Sequence, residues 1–280
     1  MTQLHYETLV LDGTPRAGDG RLPSGESFVT SPLTLTLITG ERDAVLVDAP
    51  YTYGQIERTR NWIKDSGKRL AFVYITHGHG DHWLGVEELL KAFPDTAVYA
   101  TESTLAKMAT EVVEGRAAVW DPALPGLVPP ASLVAEVVPE VGLELEGERL
   151  EPIHLGHTDT DGTTALWVPS IELVVAGDAI YNGAHQYVLE SGDGGLEQWL
   201  EAIDKIEALS PKYVVAGHKA PGAGDDPSNI QATRQYLLDA RDALAAAGSP
   251  KDYYDTMLRR YPHHVNASPV WYGALGLLGG

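Results

Sequence analysis

Apolar positions along this chain come in short runs set between stretches rich in glycine and proline. Leu4–Leu11 and Leu33–Leu37 carry β-formers, and Ala44–Ala49 reads as a short buried strand with the carboxylate of Asp48 near its end. Gly18–Ser31 between them is rich in Gly, Pro and Ser and reads as a surface loop. From Gly54 to Ser66, Ile56, Trp62 and Ile63 punctuate a polar helix that Gly67 stops. The run Leu70–Ile75 is apolar throughout, the pattern of a strand buried on both faces. A helix over about Gly85–Phe93, a strand at Ala97–Ala100 and a helix over Thr101–Gly115 follow, and there the pattern breaks. The segment from Trp120 to Pro130 is too rich in proline for a regular element, and its Trp and Leu side chains suit either a pocket wall or an ordinary connector.

A second round of strands is predicted at Leu133–Val138, Leu143–Leu145, Leu150–His154, Thr163–Val168 and Leu173–Ala176. A helix over Leu196–Leu209 leads into a strand at Tyr213–Ala216, and a long helix spans about Asn229–Ala247. Strands alternating with helices in two rounds indicate an α/β chain. No linker marks a clean boundary, so residues 1–250 read as one domain and 251–280 as a C-terminal extension. Val270, Trp271 and Leu275 in that extension would dock on the body or on a second copy of the chain.

The chemistry gathers where strands end. Leu70–Ile75 runs into Thr76-His77-Gly78-His79-Gly80-Asp81-His82, three imidazoles and a carboxylate in one turn. These groups hold zinc, or iron and manganese where oxygen ligands weigh more. Gly78 and Gly80 let the backbone turn tightly and aim neighbouring side chains at one centre. His157, Asp178 and His218 each follow a glycine just past a predicted strand. Four strand ends delivering His or Asp are what a site at one edge of a sheet core requires.

Composition narrows the function classes. The chain has 280 residues and no cysteine, which excludes disulfides and thiolate ligands. A formal charge of −19 would repel a polyphosphate backbone, so nucleic acid is not expected as substrate or partner. No signal peptide is readable in the first residues and no apolar run approaches the roughly 20 residues of a membrane helix, so the expectation is a cytoplasmic protein with no membrane partner.

The order and spacing of the His77–His82 motif, Gly156-His157, Gly177-Asp178 and Gly217-His218 resemble the metallo-β-lactamase-fold hydrolases, over roughly residues 30 to 220. The resemblance implies a four-layer αββα sandwich with a dinuclear metal centre in a groove at its edge. It implies that His77, His79 and His157 hold the first ion, that Asp81, His82 and His218 hold the second, and that Asp178 bridges them. The ions would be divalent, zinc first and iron or manganese as alternatives. They would present a bridging hydroxide to a carbonyl, with Asp81 orienting it or passing its proton to the leaving group. One departure is Trp83-Leu84-Gly85, where the family often shows two glycines.

Substrate class follows from the same resemblance. Lactamases of the cysteine-bearing type need a cysteine where Asp178 stands, and the cysteine-free ones generally lack that aspartate. Asp178 therefore points to the branches that cleave small esters, lactones or thioesters. Tyr181, three residues on, resembles the tyrosine that contacts the substrate carbonyl in acyl-homoserine lactonases of this fold; a core or rim tyrosine is the alternative. β-Lactam hydrolysis and an iron-dependent oxidoreductase remain alternative activities. Trp83, Trp120 and His185 are pocket candidates, and Asp48 is placed to hydrogen-bond a ligand histidine.

Overall fold

The computed structural model describes residues 3–279. Two β-sheets face one another. The first has six strands in the order β1 (His5–Leu11), β2 (Leu33–Thr39), β3 (Asp43–Val47), β4 (Arg69–Tyr74), β5 (Ala97–Ala100) and β6 (Glu136–Val137). β1 to β3 pair antiparallel and β3 to β6 parallel. The second runs β12 (Tyr213–Val215), β10 (Leu173–Val175), β9 (Thr163–Val168), β8 (Glu148–Gly156) and β7 (Leu143–Leu145). β11 (Tyr181–Asn182) and β13 (His218–Lys219) make a separate parallel pair.

Alternation along the strands builds the layers. In β3, Ala44 and Leu46 face the outer helices while Val45 and Val47 face the second sheet. In β4 a bulge resets the alternation, so Leu70 and Val73 face out while Phe72 and Tyr74 meet Leu166, Val168 and Val175 between the sheets. The outer face of the first sheet is covered by α1 (Tyr53–Asp65), α2 (Val86–Leu90) and α3 (Glu102–Thr110). That of the second sheet is covered by α5 (Gly195–Ala208), α6 (Ser228–Ala246), α7 (Pro250–Arg260) and α8 (Ser268–Leu278). Each fully buried aliphatic or aromatic side chain in these layers contributes about 1.5–3 kcal/mol. The result is the predicted αββα sandwich.

Two stretches differ from the sequence expectation. After α3 the chain does not break at Gly115 but continues through wide π-type turns over Glu111–Trp120 into a last helical piece, α4 (Asp121–Ala123). Pro122 is tolerated because it sits in the first turn of that piece, where no intrahelical N–H is needed. The tail forms α7 and α8, and α8 buries Val270 and Ala274 in the core of the helical layer. Gly273 and Gly276 allow that approach, since a Cβ at either would meet Val188 Cγ2 at 2.8 Å or Leu189 Cδ1 at 1.8 Å. Leu275 stays exposed. Among the described residues no helix is long and apolar enough to cross a membrane.

Candidate metal centre

The centre sits at one end of the sandwich, where β4, β8, β10 and β12 give way to loops. Asp48 follows β3 in the left-handed region (φ 61°), which turns its carboxylate inward. Its two oxygens accept from Thr76 N–H at 2.8 Å, from the Thr76 hydroxyl at 2.9–3.0 Å and from His82 Nδ1 at 2.9 Å. Thr76 Oγ1 in turn takes His77 Nδ1 at 3.0 Å. His79 Nε2 donates to Glu190 Oε1 at 2.9 Å, and His218 Nδ1 donates to the Pro32 carbonyl at 2.6 Å. In all four imidazoles one nitrogen is thus committed to an acceptor outside the centre. The other is left with a lone pair facing inward, the tautomer a metal ligand needs.

Inside the ring of imidazoles lie carboxylates. Asp178 Oδ1 is 3.2 Å from His82 Nε2, and Asp178 Oδ2 is 2.9 Å from His218 Nε2. Asp81 Oδ2 is 3.6 Å from His218 Nε2. Ligand atoms of His77, His79, Asp159 and Asp178 lie within 4.8 Å of one another, and so do those of Asp81, His82 and His218. Asp178 therefore reaches both groups, as a bridging carboxylate would. His77 Nε2, His82 Nε2, His157 Nε2, Asp159 Oδ2 and Asp178 Oδ1 are buried and make no well-aligned hydrogen bond among the described residues. Orphaned polar atoms of this kind cost roughly 1–3 kcal/mol each, more when charged. A divalent cation would satisfy them together, so the donor set fits one.

The electrostatics agree. Burial opposes a charge on His82 and His218, but Asp178 and its neighbouring carboxylates outweigh it and raise both imidazole pKa values, His82 well above the usual range. His79 is raised in the same way by Asp159 and Glu190. Burial wins at His77 and lowers it. Asp178 resists burial and is held well below the usual carboxylate range by His218 and His82. Negative charge packed this densely calls for a cation.

Six of the seven ligands expected from the resemblance come together; His157 does not. Its Nδ1 hydrogen-bonds Asp161 at 2.7 Å, and its Nε2, beside Gly195 at the start of α5, is buried with no hydrogen-bond partner among the described residues. Asp159, two residues on, lies with its carboxylate among the ligand atoms of His77, His79 and Asp178, a residue the sequence reading passed over. Glu190 was likewise missed; it steadies His79 while accepting from Lys107 Nζ and Thr160 Oγ1, each at 2.8 Å, and carries no motif in the sequence.

A cleft of about 340 Å³ opens over the centre, with His79, Asp81, Asp178 and His218 on its floor. Trp120, Tyr187 and Tyr272 stand in its walls, and Arg16 is the one Lys or Arg of the lining among the described residues. Trp120 is held there by donation to Glu111 and by edge contact with Tyr51 at 5.3 Å. Tyr181 lies at the cleft with its hydroxyl donating to Asp178 Oδ2 at 2.8 Å, and burial followed by the Asp178 charge raises its pKa well above the usual value. Two pocket expectations are corrected. Trp83 is fully buried on the outer side of the first sheet, where its indole N–H donates to Gly78 O at 2.9 Å. His185 is buried against Tyr236 and His264, outside the cleft lining. Each is drawn away by a polar partner that an apolar or loop reading cannot see.

Short stretches are similar to hydroxyacylglutathione hydrolases: 49% identity over 39 residues with that of Francisella philomiragia (14% of this chain, 16% of that protein). With that of Tolumonas auensis the figures are 38% over 69 residues, 25% of each chain. The chain thus spans about a sixth to a quarter of the length of the curated relatives it matches. In three dimensions it is similar to the DIM-1 metallo-beta-lactamase exposed to ceftazidime, with TM-score 0.60, 18% identity, and coverage of 85% of this chain and 97% of the other. The metallo-beta-lactamase from Pontibacter korlensis superposes with TM-score 0.58, 18% identity and coverage of 85% and 100%. A profile of the metallo-beta-lactamase superfamily matches residues 33–218, which include every residue gathered at the centre, and by that match the chain belongs to this superfamily.

Proposed function

We propose that this protein is a two-metal hydrolase of small acyl substrates, with thioesters the first class to test and esters and lactones next. The observation that carries the reading is the set of inward, unpartnered ligand atoms around a carboxylate that reaches both groups. Two divalent ions bound there, zinc foremost, would supply a hydroxide at neutral pH and Lewis-acid polarisation of a carbonyl.

The chain's own residues do the rest. Trp120, Tyr187 and Tyr272 offer apolar wall to an acyl group, and Arg16 can bind an anionic end of the substrate. Asp81, on the cleft floor, is placed to carry a proton to the leaving sulfur or oxygen as the acyl bond breaks and the acid forms. Tyr181 orients Asp178 through its hydrogen bond and is placed to donate to a substrate oxygen. The thioester preference is supported by the short matches to hydroxyacylglutathione hydrolases, and the lactone reading by Tyr181.

The test is turnover of an S-acyl thioester, an aryl ester, an acyl lactone and a β-lactam by metal-loaded protein, with Tyr181→Phe alongside. Thioester turnover, with kcat lowered in Tyr181→Phe and KM held, is expected. β-Lactam turnover alone, or none at all with two ions bound, would overturn the reading.

A further inference from the structure

We infer that Tyr187 is a further catalytic residue, whose phenol donates a hydrogen bond to the acyl oxygen of the substrate as that oxygen gains negative charge. Three tyrosines line the cleft, Tyr181, Tyr187 and Tyr272, and their hydroxyls are engaged differently. Tyr181 has one proton and gives it to Asp178 Oδ2 at 2.8 Å. It would have to deprive a buried carboxylate of that partner before it could serve a substrate. Tyr272 accepts from Arg16 Nη1 and stacks on Phe28 with ring centroids 5.3 Å apart, which keeps it at the Arg16 end of the cleft. The Tyr187 hydroxyl makes no hydrogen bond among the described residues, although Asp81, Glu111 and Glu190 line the same cleft. It is the phenol that gives up nothing when a substrate oxygen arrives.

The loop that carries Tyr187 fixes its direction. Ala184 bridges to Val265, and His185 N–H donates to the Val265 carbonyl at 3.1 Å, so the loop is tied to the tail. Gln186 and Val188 are buried, Gln186 toward the Thr233 carbonyl of α6 and Val188 beside Gly273 of α8. Tyr187 lies between these two inward residues and faces the other way, into the cleft. Its ring stands edge-on to His79, with centroids 5.5 Å apart and planes at 89°. His79 is itself held at 2.9 Å by Glu190, three residues along the same loop. The phenol is thus set in place beside the metal centre before any substrate binds, the condition under which a donor stabilises developing charge.

The chemistry asks for such a donor. A carbonyl oxygen has two lone pairs, so an acyl oxygen drawn toward the centre can also accept from a phenol. As the attacking oxygen bonds to the acyl carbon, the π pair of the C=O bond moves onto the acyl oxygen. When that pair returns, the acyl–sulfur or acyl–oxygen bond breaks, and its electrons leave with the thiol or alcohol, which takes the proton that Asp81 carries. The Tyr187 proton stays on its phenol throughout. Its hydrogen bond strengthens with the charge, so it lowers the barrier more than it aids binding. Loss of an essential donor of this kind costs about 10²–10³ in kcat, and about 10–100-fold is expected here because the cations of the centre would share the charge.

The inference rests on the acyl-hydrolase reading, and Tyr187→Phe tests it by keeping the ring on His79 and removing only the hydroxyl. The variant is expected to hold two equivalents of metal and to melt as wild type does, with KM little changed and kcat lower by about 10–100-fold. An alkylphosphonate monoester, whose tetrahedral anionic phosphorus mimics the attacked acyl group, should bind more weakly by a similar factor, while the carboxylic acid product binds as before. Unchanged kcat and phosphonate affinity would overturn the inference. Equal weakening of phosphonate and product would overturn it as well, since that marks a binding contact alone. Loss of a metal equivalent would do the same by assigning Tyr187 to the support of His79. The phosphonate comparison needs no turnover, so an inactive wild type would refute the acyl-hydrolase reading while Tyr187 is still judged by binding.

Discussion

Replacing Asp48 by Asn separates the charge of this residue from its shape. Asn tolerates the left-handed backbone at φ 61° nearly as well as Asp, so the turn after β3 should persist. What changes is the carboxylate that receives Thr76 N–H, the Thr76 hydroxyl and His82 Nδ1, all between 2.8 and 3.0 Å. A hydrogen bond to a charged group is worth about 1.5–3 kcal/mol against 0.5–1.5 for a neutral one, so His82 loses roughly 1–2 kcal/mol of support. The new amide also offers N–H where His82 Nδ1 donates, which favours moving the imidazole proton to Nε2, the atom facing Asp178. Both effects predict a fall of about 10–100-fold in affinity for the ion held by Asp81, His82 and His218. Competition against a coloured chelator would read the affinity, with thermal unfolding of the apoprotein as a check on folding. An unchanged affinity in a folded variant would refute the view that Asp48 sets the tautomer of His82.

Other consequences follow from the same packing. Gly217→Ala should displace Asp178, because a Cβ there would lie 2.1 Å from Asp178 Oδ1 and 2.7 Å from the Gly177 carbonyl carbon; metal stoichiometry should drop below two. Ile203→Ala, in a fully buried position of α5, should lower the unfolding free energy by about 2–5 kcal/mol in a denaturant titration. Burial, with His264 adding to it, pushes the His185 pKa down to about 3, below the 6.5 of an exposed imidazole. The unfolded chain therefore binds the extra proton between these values, and wild type should lose stability relative to His185→Phe as pH falls from 6.5 toward 3, with no such trend above 6.5. A difference in melting temperature that stays flat across that range would contradict the assignment.

Much of this arrangement was legible in the sequence, for reasons visible residue by residue. The short apolar runs Ala44–Val47 and Leu70–Ile75 marked buried strands, because each face meets its own core layer. The glycines before Asp178 and His218 marked residues presented at strand ends, and the close approach of Gly217 to Asp178 shows why no larger residue fits there. The place of Asp159 among the imidazoles was not legible. Asp159 stands two residues from His157, another ligand type, and beyond a slip in β8–β9 pairing that the sequence does not mark. Glu190 comes from a loop 111 residues beyond His79, with no local signal. The tail was also opaque, since Gly273 and Gly276 argue against a helix locally yet permit α8 to press on Val188 and Leu189.

The central claim is that these imidazoles and carboxylates form one centre for two ions. Elemental analysis of apoprotein reloaded with a divalent metal and passed through a desalting column tests it most directly, with Asp178→Ala in parallel. Two equivalents per chain in wild type, and weakened retention of both in the variant that lacks the shared carboxylate, are the predicted result. A wild-type chain that keeps one ion or none, or a variant that keeps both as tightly as wild type, would contradict the account.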